Sequence, residues 1–161
     1  MSKRRVGVVC LGGTFDHFHV GHEALLLKAF EVGEKVVIGV TSDPFVEAMG
    51  KRHSIQPYND RVEAVRLFLR KQGVESRAVF VPLDDPYGPA ATDSEIDGIV
   101  VSEETAPRTE EINEIRRKRG LQPLQVFRIN TVLAEDGKRI SSTRIRLGEI
   151  DREGRIITKK D

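Results

Sequence analysis

The chain has 161 residues, enough for one domain with a sizeable core and too few for two. Lys and Arg number 26 against 25 Asp and Glu, and this net charge of +1 argues against a nucleic-acid or anionic-membrane partner. A single cysteine, Cys10, excludes an internal disulfide, the basic start lacks the apolar segment of a signal peptide, and no run reaches transmembrane length, so the expectation is a cytoplasmic protein.

In chain order, Val6 to Leu11 is apolar and reads as a first buried strand, ending in the glycine turn Gly12-Gly13. A helix follows over Glu23 to Phe30, with Gly33 as its stop. Lys35 to Thr41 is a second buried strand. Ser42-Asp43-Pro44 caps and opens a short helix to about Met49, followed by the basic loop Gly50-Lys51-Arg52-His53. Tyr58 to Gln72 carries Val62, Val65 and Leu69 on one stripe and ends at Gly73. Ala78 to Val81 and Gly98 to Val101 are the third and fourth strands, separated by the turn-rich stretch Leu83 to Pro89. Ser102 is expected to cap a helix running to Arg119 and closed by Gly120. Gln125 to Ile129 is the fifth strand, and Ser141-Ser142-Thr143 caps a short last helix.

Short, continuously apolar strands alternating with helices predict a single Rossmann-like, doubly wound α/β domain with a five-stranded parallel sheet over residues 1–150. Residues 151–161 are charge-rich and are expected to form a loosely held tail. Ligands of such sheets bind outside the carboxyl ends of the strands. Four suspicious loops fall at such ends: residues 12–22, the segment near Lys51, residues 83–90 and residues 102–105.

The first of these carries the chemistry. In Gly12-Gly13-Thr14-Phe15-Asp16-His17-Phe18-His19-Val20-Gly21-His22 a strand ends in glycines that let the backbone approach a phosphate. A helix then begins, its free N–H groups and positive dipole end facing an anion. His19 and His22, three apart, share a face of the first turn and can reach one phosphate. A second phosphate-friendly segment, Lys138 to Arg146, offers hydroxyls at a helix start with flanking arginines.

The GTFDxFHxGH segment followed by ISSTxIR is similar to the HxGH nucleotidyltransferase superfamily, relatives of the class I aminoacyl-tRNA synthetases. Three further segments resemble the phosphopantetheine adenylyltransferases found in archaea and eukaryotes: Asp85 to Ala90, Pro57-Tyr58 with Arg61, and Val101 to Thr105. The resemblance runs from about Val6 to Leu147. It implies transfer of the adenylyl group of ATP to 4′-phosphopantetheine, giving dephospho-coenzyme A and pyrophosphate. It implies catalytic roles for His19, His22 and Lys51, with Lys51 bridging the acceptor and the α-phosphate. For ATP it implies Gly13, Thr14, Phe15, Gly21, His22, Ser102, Glu103, Thr105, Ile140, Ser141, Ser142, Thr143 and Arg144. Ser142 and Thr143 would grip the β- and γ-phosphates. For the acceptor it implies Thr14, Asp16, Lys51, Asp85 and Pro86. Mg²⁺ would ride on the ATP phosphates, and the Asp84-Asp85 pair reads as a turn rather than a metal site.

Bland readings stand beside these. Lys51 also reads as a solvated loop lysine, Asp16 as a turn residue, and Ser102 with Glu103 and Thr105 as a helix cap. His17 and His53 are expected to do no chemistry. The better-known bacterial adenylyltransferases of this kind carry arginine-bearing signatures after their fourth strand, where this chain has Ser102-Glu103-Glu104-Thr105. Their pantetheine and adenine contacts and their hexameric assembly therefore do not transfer, and a monomer is expected. The alternatives are an HxGH cytidylyl- or adenylyltransferase acting on another phosphorylated acceptor, a non-catalytic nucleotide-binding regulator, or a synthetase-like RNA-binding protein.

Overall fold

A computed structural model of the chain describes residues 6–50 and 54–157. Five strands, β1 (Val6–Gly13), β2 (Gly33–Thr41), β3 (Ala78–Leu83), β4 (Gly98–Val101) and β5 (Gln125–Arg128), form one sheet in the order β3-β2-β1-β4-β5, with all four pairings parallel. Among the described residues the helices are α1 (Val20–Val32), α2 (Asp43–Ala48), α3 (Tyr58–Lys71), α4 (Arg108–Lys118) and α5 (Ser142–Arg146). This is the doubly wound order, reversing at β1. None of these helices is long and apolar enough to cross a membrane.

The pleat sorts each strand between two cores. Val9 and Leu11 of β1, Val36, Ile38 and Val40 of β2, and Val100 of β4 pack with Leu26, Ala29 and Phe30 of α1 and Val62, Val65 and Leu69 of α3. Cys10, Val37, Ile99 and Val101 face the other way, onto Ala90, Ile96, Ile112 of α4 and Leu124. A third, smaller cluster of Ala134, Ile140 and Ile150 carries the C-terminal segment.

β1 pairs with β2 at seven positions, Val6 through Gly13, but with β4 only at Val9↔Gly98 and Cys10↔Ile99. Beyond Cys10 the two strands part, and a crevice opens at the carboxyl end of the sheet.

Several expected boundaries move. α1 starts at Val20, not Glu23, which makes His19 its N-cap and puts His22 in its first turn. Gly33 ends α1 and opens β2 with no loop between, because its missing Cβ would sit 2.5 Å from Val9 Cγ1. The helix expected from Ser102 begins only at Arg108. Pro107 has no N–H to give to the Glu103 carbonyl, so the 102–107 segment stays a run of turns. There the expected cap is reversed: the Ser102 N–H donates to Thr105 Oγ1 at 3.1 Å. The segment after Ile150, read as a loose tail, is hydrogen-bonded as far as Ile157. Ile150 bridges Ile156, the Val20 N–H donates to Arg152, and the Glu135 N–H donates to Gly154.

Candidate active site

Two buried arginines hold the loops around the crevice. Arg61, in the first turn of α3, grips the glycine turn and the end of β2. Arg116 of α4 donates to four carbonyls, those of Gln122 (2.7 Å), Ala90 (2.9 Å), Asp93 (2.9 Å) and Ile96 (3.2 Å), and so fixes the irregular stretch between β3 and β4. Between these anchors lies a cleft of about 570 Å³. Gly13, Thr14, Phe15, His22, Asp85, Pro86, Ser102 and Thr105 all line it, so three of the four suspicious loops meet there. Lys51 lies outside the described residues.

The glycine turn bends through two left-handed residues that are not glycine, Phe15 (φ 57°) and His17 (φ 46°). That conformation is strained for a bulky side chain and survives where packing over-determines it. Phe15 is 1% exposed and its ring meets that of His22 at 5.2 Å between centroids. The strain is thus held by the same packing that seats the histidine.

His19 and His22 form a reciprocal cap. The Gly21 N–H donates to His19 Nδ1 (3.0 Å), the His19 N–H donates to His22 Nδ1 (3.1 Å), and the rings stack at 3.7 Å between centroids. This is the geometry of a capping box, with imidazoles in place of hydroxyl and carboxylate. Burial pushes His19 down to about 4, helped by the positive charge of Arg139, and His22 down to about 3, helped by His19. Both rings are therefore neutral at pH 7. With each Nδ1 occupied as an acceptor, each carries its proton on Nε2. The pair supplies two neutral donors of fixed tautomer at a helix N-terminus. Gly21 permits the arrangement by close approach, since a Cβ there would lie 2.8 Å from His19 Cε1 and 3.2 Å from Ile140 Cγ2.

Other expected ligand residues are turned to structural bonds. Asp16 is 3% exposed, and its carboxylate accepts from the Gln56 N–H (2.9 Å) and Arg146 Nη2 (2.7 Å). In this arrangement it braces the glycine turn. Ser142 Oγ donates to the Asp16 carbonyl, and Ser141 Oγ caps α5 through the Arg144 N–H (3.2 Å). Arg144 pairs with Asp136 and with Glu149. Glu103 accepts from Thr131 Oγ1 (3.0 Å), and Asp85 Oδ1 accepts from the N–H groups of Tyr87 and Gly88 as a turn residue. Thr143 is exposed on α5. Among the described residues no group of three or more His, Cys, Asp or Glu side chains is arranged to hold a metal.

Thr41, which places the site, carries no signal in the sequence, and the buried bonds of Arg61 and the tie from Arg146 to Asp16 go beyond the motifs in which those arginines stand. Arg61 left a usable trace, since it stands on the stripe of Val65 and Leu69 at steps of four, where a lone arginine must find buried partners.

A parallel sheet in this order, with a histidine-capped helix start at its switch point, defines a Rossmann-like α/β domain of the HxGH kind. The chain belongs to the cytidylyltransferase-like family, whose pattern matches residues 10–148, and within it to the phosphopantetheine adenylyltransferases. It is 52% identical over 143 residues to the phosphopantetheine adenylyltransferase of Methanopyrus kandleri, covering 89% of this chain and 90% of that one. To the protein of that name from Methanothermobacter thermautotrophicus it is 49% identical over 157 residues, covering 98% and 93%. Among solved structures, a protein of unknown function from Archaeoglobus fulgidus superposes with a TM-score of 0.68 at 28% identity, covering 83% of this chain and 98% of that one.

Proposed function

We propose that the chain transfers the adenylyl group of ATP to 4′-phosphopantetheine, releasing pyrophosphate and forming dephospho-coenzyme A. The observation that carries this reading is the 52% identity to a phosphopantetheine adenylyltransferase along nearly the whole chain. The neutral histidine pair beside Thr14 supplies a physical basis for the chemistry.

In this mechanism a phosphate oxygen of the acceptor attacks the α-phosphorus of ATP in line. A new P–O bond forms, the bond to the α,β-bridging oxygen breaks, and that oxygen leaves with pyrophosphate. Such a transfer needs positioning and charge stabilisation more than covalent chemistry. His22 and His19 donate from Nε2 to the charge that builds on the α-phosphate and the bridging oxygen. A donor aimed at developing charge is worth about 3 kcal/mol. Their low pKa values suit this role and not proton transfer, because the acceptor phosphate arrives already ionised.

Thr14 orients the acceptor phosphate, and Lys51 bridges the two reacting phosphates. Ser142 and Thr143, with Arg144, hold the β- and γ-phosphates, which requires Ser142 to exchange its bond to the Asp16 carbonyl for one to the nucleotide. Ser102 and Thr105, at the far wall of the cleft, face the nucleoside. Mg²⁺ enters on the ATP phosphates as part of the substrate. A cytoplasmic location and a monomeric state are proposed with it, and light scattering of the purified chain checks the second.

The test is pyrophosphate release with ATP and 4′-phosphopantetheine, set against CTP and against other phosphorylated acceptors. Turnover with ATP and 4′-phosphopantetheine at least a hundredfold above every other pair is expected. Preference for CTP, or for a different acceptor, would overturn the assignment.

A further inference from the structure

Arg61 is wholly buried. Its Nε donates to the Gln56 carbonyl (2.7 Å) and its Nη2 to Asp43 Oδ1 (2.9 Å). Its Nη1 is shared between the Thr14 carbonyl (2.9 Å) and Thr41 Oγ1 (3.2 Å). Thr41 Oγ1 stands in turn 3.2 Å from Thr14 Oγ1. A guanidinium has donors only, so Thr41 must accept from it. The hydroxyl geometry of Thr41 directs its one proton to the next oxygen in line, that of Thr14. Thr14 Oγ1 accepts that proton, and its own is left to point out of the chain. Both threonines line the cleft.

We infer that Thr41, with Arg61 behind it, is a positioning residue that makes the Thr14 hydroxyl an obligate donor to an oxyanion in the cleft. The inference rests on the reading that Thr14 meets the acceptor's phosphate. An isolated threonine hydroxyl donates or accepts with equal ease and so welcomes an alcohol, an amide or a phosphate. A hydroxyl that already receives one proton, with its own aimed outward, prefers a partner with no proton to give. Each link polarises the next, and the last bond, to a charged oxygen, is the strong one. The chain thus selects the phosphorylated form of the acceptor over its dephosphorylated alcohol, although neither Thr41 nor Arg61 needs to touch it.

The test compares Thr41→Val, which keeps the shape and deletes the link, with Thr41→Ser, which keeps the link. Thr41→Ala serves as a second link-free variant should valine strain the end of β2. Calorimetric titration with inorganic phosphate, 4′-phosphopantetheine and unphosphorylated pantetheine reads the effect, beside steady-state kinetics in ATP. The expected result is about tenfold weaker binding of both phosphates in the link-free variants, the cost of one charge-assisted hydrogen bond. Pantetheine binding and the KM for ATP stay within about twofold, and serine restores the wild-type values. Unchanged phosphate binding in Thr41→Val overturns the inference, as does an equal loss for ATP and acceptor, which is the mark of a scaffold residue. Wild-type protein that binds inorganic phosphate but does not adenylylate 4′-phosphopantetheine overturns the proposed acceptor instead, and the phosphate titration alone then decides the relay.

Discussion

Arg146 Nη2 meets Asp16 Oδ2 at 2.7 Å across 130 residues of sequence. The same carboxylate receives the Gln56 N–H, so one buried side chain ties together the glycine turn, the segment before α3 and the last helix. Burial works to raise the Asp16 carboxyl, but the Gln56 N–H, the Arg146 guanidinium and the neighbouring His17 outweigh it and hold the group below the ordinary carboxylate value.

Asp16→Ala strands the Arg146 guanidinium beside an empty site. Breaking such a pair costs about 3 kcal/mol, or a Tm drop of about 9 °C in a domain of this size. Calorimetric melting at pH 7 checks it. A loss below about 1 kcal/mol would make the brace ornamental.

The histidine pair and Asp16 contribute to the pH dependence of stability in the acid range. In the unfolded chain a histidine takes up its proton near pH 6.5, whereas the folded chain withholds it until about 4 at His19 and about 3 at His22. Between those values the unfolded state binds more protons, so stability falls as pH drops below 6.5. Asp16, with its lowered pKa, adds a loss at the acid end of that window. Tm measured from pH 7 to 4 should therefore decline steadily. ¹⁵N spectra of the imidazoles at pH 6 should show Nε2–H and bare Nδ1 in both rings, and a protonated ring there would refute the tautomers.

His22→Ala removes one Nε2 donor and should lower kcat by about 10²- to 10³-fold, with ATP affinity within about threefold of wild type. Rapid-quench kinetics with direct ATP titration separates the two. Unchanged turnover in the folded variant sinks the role.

Gly21→Ala sets two effects against each other. Alanine favours the helix by about 1 kcal/mol, while its Cβ collides with the His19 ring at 2.8 Å. Tm should stay within about 3 °C of wild type. kcat should fall by about 10²-fold, because displacing a catalytic group by an ångström costs that much. A variant that loses stability and keeps activity contradicts this.

Ser142→Ala and Thr143→Ala should differ. Ser142 also tethers α5 to the Asp16 carbonyl, so its loss costs about 1 kcal/mol and a few degrees of Tm along with a raised KM for ATP. Thr143 is exposed, and its loss should raise that KM with no change in Tm. Identical melting and kinetic profiles for the two variants would deny the distinction.

The strands and the glycine turn were legible because burial on both faces of a parallel sheet demands unbroken apolar runs, and glycine marks the place where backbone must come close. The convergence of residues 12–22, 83–90 and 102–105 followed from topology alone. What escaped were contacts made by side chains whose type signals the surface. Arg61, Arg116 and Asp16 are charged yet buried, each satisfied by partners distant in sequence, and periodicity, which marks Arg61 as inward-facing, does not say which partners those are. Ser102 looked like a cap because serine at a strand–helix junction normally is one. Pro107, five residues on, moved the helix start. The folding of residues 151–157 depends on backbone bonds to Val20 and Glu135, which a count of apolar side chains overlooks.

Arg116 grips the stretch between β3 and β4 only through main-chain oxygens. Its hold is blind to what those residues carry on their side chains. A wall of the cleft anchored in this way is free to exchange its lining while keeping its course, much as a trellis keeps its shape under different vines. Grafting a new acceptor preference should therefore begin at Pro86 and Tyr87, which line the cleft, with Arg116 and the turn-holding Asp85 left untouched.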